Sequence, residues 1–157
     1  MRLAPRFLTI AVVACCLVPA LAAANDSFLA SLNGAQEVPA SGSQAFGTGV
    51  FTYVTDAQVV SYTVTFMGVA SPTAIHVHGP AGVGQNADVL FTLPTNNPAF
   101  GVLSPITVQQ AADLRAGLWY VNVHSAAHPT GEIRGQILNI TAVQPGTWSQ
   151  VRELYAR

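Results

Sequence analysis

Seven runs of this chain carry Val, Ile, Thr and aromatic residues in the pattern of half-buried strands: 28–32 (FLASL), 47–54, 59–66, 73–78, 88–93, 117–124 and 132–140. The clusters TDAQ, SPT, GPAGVGQNA and PTNNPAFG lie between them and supply the Gly, Pro, Asn and Asp that turns require. Short strands with an apolar side cannot bury it alone. The spacing therefore predicts an all-β fold, an antiparallel sandwich or barrel. One segment departs from the strand pattern. In SPITVQQAADLRAG, Ser104 or Thr107 can cap a helix, Val108, Ala111, Ala112 and Leu114 fall at helical spacing, and Gly117 stands where a terminating glycine belongs. A short helix in a crossover is expected there.

Both ends of the chain read differently from the middle. Residues 1–24 have Arg2 and Arg6 before an apolar run, then small residues ahead of polar Asn25, the pattern of a cleaved signal peptide. The domain is expected over 25–140, with a C-terminal extension over 141–157 whose Val151, Leu154 and Tyr155 suit one stripe of a short helix. Export puts the mature protein in the periplasm or outside the cell, with no membrane span after cleavage. Cys15 and Cys16 both lie in the leader, so the mature chain has no thiol, and lipidation at Cys15 is a minor alternative. Only 8% of residues are charged, there is no lysine, and the net charge is −1. Such a surface lacks the basic footprint of a nucleic-acid binder.

All four histidines fall in two short stretches, HVHG at 76–79 and YVNVHSAAHPTGEIRGQ at 120–136. Side chains alternate faces along a strand. Ile75 and Val77 therefore share one face and Ala74, His76 and His78 the other; Trp119, Val121 and Val123 lie opposite Tyr120, Asn122 and His124. Two imidazoles at i and i+2 stand roughly 7 Å apart, within reach of one ion. If the strand ending at His124 lies beside the strand ending at His78, three imidazoles meet at one sheet end, and the loop to His128 adds a fourth ligand or a hydrogen bond nearby. A set of imidazoles without thiolate suits Cu(II), with Zn(II) as the alternative. Glu132 and Arg134 share a face on the last strand, which predicts an ion pair; the other reading sets Arg134 beside the metal to attract an anion. Glu37 reads as a structural hydrogen-bond partner, and Gly79, Gly131 and Gly135 as turn or close-approach positions.

The segments LNGAQEVPASGSQAFGTG, AIHVHGPAGVGQNADVLFTL and GLWYVNVHSAAHPTGEIRGQI together resemble the CHRD domain, a module named from chordin, over about residues 28–138. The resemblance implies an extracytoplasmic all-β domain and assigns little chemistry. HVHG is also similar to the His-x-His copper pair of Cu,Zn superoxide dismutases, and YVNVH to the later strand that supplies a further copper ligand. That similarity implies a Greek-key β-sandwich, makes His76, His78 and His124 copper ligands, and gives Arg134 the part of an anion-guiding residue. The bridging histidine, the zinc loop and the disulfide of those enzymes have no counterpart here, which counts against dismutase activity.

Three functions follow as expectations. The first is a non-enzymatic exported protein that stores or buffers copper through His76, His78, His124 and His128. The second is a copper-dependent redox enzyme of superoxide dismutase type. The third is a structural or adhesive module without metal. No catalytic residue is assigned: Ser125 beside His124 faces the other way along a strand, and no elbow motif or placed carboxylate pair is present.

Overall fold

The computed structural model describes residues 25–140. The expected leader, both cysteines and the C-terminal extension lie outside the described residues. The chain forms β1 (Asp26–Asn33), a 3₁₀ turn (Gly34–Gln36), β2 (Phe46–Val54), β3 (Val59–Met67), β4 (Pro72–His78), β5 (Val89–Leu93), β6 (Ala99–Leu103), α1 (Val108–Arg115), β7 (Trp119–Ser125) and β8 (Ile133–Asn139). All eight strands join one sheet in the order β5-β4-β7-β8-β1-β2-β3-β6, and every pairing is antiparallel. The edge strands β5 and β6 approach each other, so the sheet is nearly closed. Among the described residues no helix is long and apolar enough to cross a membrane.

Strand parity builds the core. Phe28, Ala30 and Leu32 of β1, Val60 and Val64 of β3, Ile75 and Val77 of β4, and Trp119, Val121 and Val123 of β7 are all fully or almost fully buried inside the curve of the sheet. Each of the Val, Leu, Ile and Phe side chains among them contributes about 1.5–3 kcal/mol by leaving water. The helix carries the chain from β6 at one edge back to β7. Thr107 caps it reciprocally with Gln110, Ala111 and Leu114 bury against the core, and Gly117 ends it at φ +71. Val108, expected on the apolar stripe, is instead exposed in the first turn.

The sequence pattern gave seven strands, and the structure has eight. Residues 99–103, taken with the turn cluster PTNNPAFG, form β6 and pair with β3. Ala99 and Leu103 face inward while Phe100 and Val102 project outward, so the edge strand does not show the usual apolar and polar alternation.

Candidate metal centre

The ladder between β4 and β7 sets the histidines. Ala74 pairs with His124, His76 with Asn122, and His78 with Tyr120. Because the strands run antiparallel, the C-terminal ends of β4 and β7 lie at opposite ends of the ladder. The imidazoles therefore do not meet at a sheet end, as expected from the sequence. They meet diagonally across its outer face, with His76 in the middle. The His76 ring centroid is 4.8 Å from that of His124 and 5.6 Å from that of His78. One nitrogen from each of His76, His78 and His124 lies within 4.8 Å of the others.

His128 is not in this group. Its segment is folded into a turn in which the His128 N–H donates to Ser125 O and Oγ, both at 3.2 Å, and its carbonyl accepts from the N–H of Ser125 and of Gly131. These main-chain bonds close the loop after β7.

Main-chain carbonyls fix the tautomers of two rings. His78 Nδ1 donates to Ala87 O at 2.9 Å, and His124 Nδ1 donates to Pro129 O at 3.0 Å. In a neutral ring the other nitrogen, Nε2, is then a lone pair. Both Nε2 atoms face Asn122 Oδ1 at 3.1 Å, and His124 Nε2 also accepts from His76 Nδ1 at 3.1 Å. Two imidazole lone pairs and a carbonyl oxygen thus converge on one spot, an arrangement that a cation relieves. Burial, together with the charges of its histidine neighbours, holds His76 below the usual histidine range. Burial likewise lowers His78, opposed by its bonds to Ala87 and Asn122. Both rings are ready as neutral ligands at neutral pH. Coordination at about 2.0–2.1 Å with tetrahedral angles sets nitrogens about 3.3 Å apart. The His76–His124 nitrogens, 3.1 Å apart, are close to that spacing, and His76 offers Nδ1 as a ligand once its proton moves to Nε2.

The face that carries the triad is polar, as parity predicts, but it is not open to solvent. Tyr120, Asn122, Glu132, Arg134 and Gln136 are all buried. The loops 34–45 and 79–88 cover them. Gln136 Nε2 donates to Ala81 O and Gly117 O, Arg134 donates to Gln85 O and Asn86 Oδ1, and Ser43 Oγ donates to Glu132 Oε1. Arg134 and Glu132 therefore form no ion pair with each other; among the described residues the ion pair found is Arg115 with Asp26 at 2.7 Å. The Arg134 guanidinium lies 3.4 Å from the centroid of Tyr120, whose other neighbour is the His78 ring, parallel within 1° at 4.7 Å. This stack clamps His78 from behind.

A cleft of about 370 Å³ opens beside the triad, lined by His78, Asn122 and His124 together with Glu37, Val38 and Pro39. Burial pushes the Glu37 carboxyl up to about 7, against the pull of the Arg134 charge and a hydrogen bond with Asn122. Glu37 is thus a hydrogen-bond partner of Asn122, in line with the sequence reading, while its buried Oε1 has no partner.

A nearly closed antiparallel sheet with three imidazoles on its outer face defines a class, a small β module with a candidate metal centre. The family model of the CHRD domain matches residues 28–137, and the chain belongs to that family. Among curated proteins and among solved structures, none matches the chain.

Proposed function

We propose that this CHRD domain binds one transition-metal ion through His76, His78 and His124, copper in preference to zinc, and serves outside the cytoplasm in metal storage or buffering. The convergence of the His78 and His124 Nε2 lone pairs, each fixed by a carbonyl on its Nδ1, carries the reading. Copper is preferred because a nitrogen-donor site follows the order in which Cu(II) exceeds Zn(II), and no thiolate is at hand to favour a softer ion. Export follows from the leader pattern of residues 1–24, which also removes the two cysteines.

A second reading, a copper-dependent redox enzyme, is favoured by one observation. A cleft is lined by two of the three histidines, His78 and His124, and an open coordination position requires such access. The chain's own residues would hold the ring orientations there, and copper would supply a one-electron couple.

Calorimetric titration with Cu(II) and with Zn(II) tests the first reading. One-to-one binding tighter than about micromolar, near −8 kcal/mol, should be lost in His76→Ala/His78→Ala and in His124→Ala. Weak binding that ignores either substitution would leave a structural module without a metal. A dismutase assay on the copper-loaded protein separates the two metal readings.

A further inference from the structure

The side chain of Asn122 sits among the imidazoles in an unusual way. Its Oδ1 lies 3.1 Å from Nε2 of His78 and 3.1 Å from Nε2 of His124. In both rings Nδ1 carries the hydrogen, held by Ala87 O and Pro129 O, so a neutral ring has none to donate from Nε2. An acceptor oxygen thus faces two acceptor nitrogens, and Asn122 is only 3% exposed. Buried acceptors that face one another work against folding. Turning the amide over would bring its NH2 to the rings and relieve the conflict.

Glu37 holds the amide the other way. Its buried carboxyl accepts a hydrogen bond from Asn122, and the Arg134 charge favours the ionised form, which can only accept. With the NH2 group engaged there, the oxygen is left to the rings. The seat of that carboxyl depends on Gly131, where a Cβ would stand 2.5 Å from Glu37 Oε1.

We propose that Asn122 Oδ1 is the fourth ligand of the metal, beside His76, His78 and His124, and that Glu37 is the positioning residue that holds this oxygen toward the ion. The ligand set rests on the metal reading above and comprises three nitrogens and one oxygen. The contacts His76 Nδ1 to His124 Nε2, His124 Nε2 to Asn122 Oδ1, and Asn122 Oδ1 to His78 Nε2 are each 3.1 Å. That is close to the roughly 3.3 Å between ligands of a tetrahedral ion. A carbonyl oxygen is a hard donor, so the fourth ligand favours Cu(II) over the softer Cu(I).

The test uses the full-length chain loaded with Cu(II), its metal content measured first, at about pH 8, above the value of about 7 for Glu37. Asparagine labelled with the heavy carbon isotope at its side-chain carbonyl is incorporated, and electron–nuclear double resonance is recorded. Wild type should show a coupling from the labelled carbon to copper, and Asn122→Asp, which carries no label there, should lose it with copper still bound. Asn122→Ala should lower Cu(II) affinity about tenfold or more, and Glu37→Leu about tenfold, as for a lost supporting partner. Glu37→Gln, which still offers an oxygen to the amide, should stay within about threefold of wild type. Cu(I) affinity, measured by competition with a chromophoric chelator, should move less than about threefold in every variant, which a general loosening of the site would not allow. No carbon coupling in copper-loaded wild type overturns the ligand, since an amide that turns its NH2 to the rings gives none. Unchanged Cu(II) affinity in Asn122→Ala, or equal losses for Cu(I) and Cu(II), overturns it as well. Wild-type Cu(II) affinity and coupling in Glu37→Leu overturn the positioning role. A wild-type chain that holds no copper instead refutes the metal reading and the fourth ligand with it.

Discussion

Replacing Glu37 by Gln removes the titrating group with the least change in shape, and its effect should depend on pH with a defined sign. In the folded protein burial raises the Glu37 carboxyl from 4.5 to about 7. Between those values the native state holds a proton that the unfolded chain has released. Where the native state binds more protons, stability falls as pH rises. The contribution of protonated Glu37 is thus fully present below pH 4.5 and is lost as pH climbs through about 7. At about 1.4 kcal/mol per unit, the shift corresponds to about 3 kcal/mol. The lowered His76 and His78 act in the opposite sense, losing stability as pH falls below their ordinary 6.5, so the wild-type curve alone mixes the two. The difference between wild type and Glu37→Gln isolates the carboxyl, because the histidines are common to both. Urea unfolding in the presence of a chelator, at intervals from about pH 4.5 to 8, should show the variant gaining on wild type by about 3 kcal/mol across that range. Parallel curves, separated by a constant within about 0.5 kcal/mol, would refute the assignment of a buried, destabilised carboxyl at residue 37.

Two further outcomes follow from the same site. Gly131→Ala should cost about 2 kcal/mol or more in denaturant unfolding, since residue 131 sits at φ +134 and its new Cβ would press on the Glu37 carboxyl. In a Glu37→Ala background that loss should shrink to its backbone part, and strict additivity would disprove the contact. His128→Ala should leave copper affinity within about threefold, whereas His124→Ala should lower it more than about 100-fold, beyond the 10–100-fold typical of losing a supporting partner. Equal losses in the two calorimetric titrations would return His128 to the ligand set.

The inward face of the sheet was legible because a period of two leaves no choice. Once Ile75 and Val77 are inside, His76 and His78 are outside, and the same parity on β7 put His124 on their side. β6 was hidden by its composition: Pro98 and Gly101 argue for a turn, and an edge strand that exposes Phe100 and Val102 shows no alternation. Register was also out of reach. Parity places a residue on a face without saying what it opposes, and the pairing of His124 with Ala74 rather than His78 turned an expected end-on cluster into a diagonal one. His128 lies in a turn, where parity says nothing. The deepest omission was the cover on the polar face. Arg134 bonds to Gln85 and Asn86, and Ser41 and Ser43 bond to Glu132, across intervals of about 50 to 90 residues that no local pattern encodes. The polar face is in fact a second, hydrogen-bonded interior.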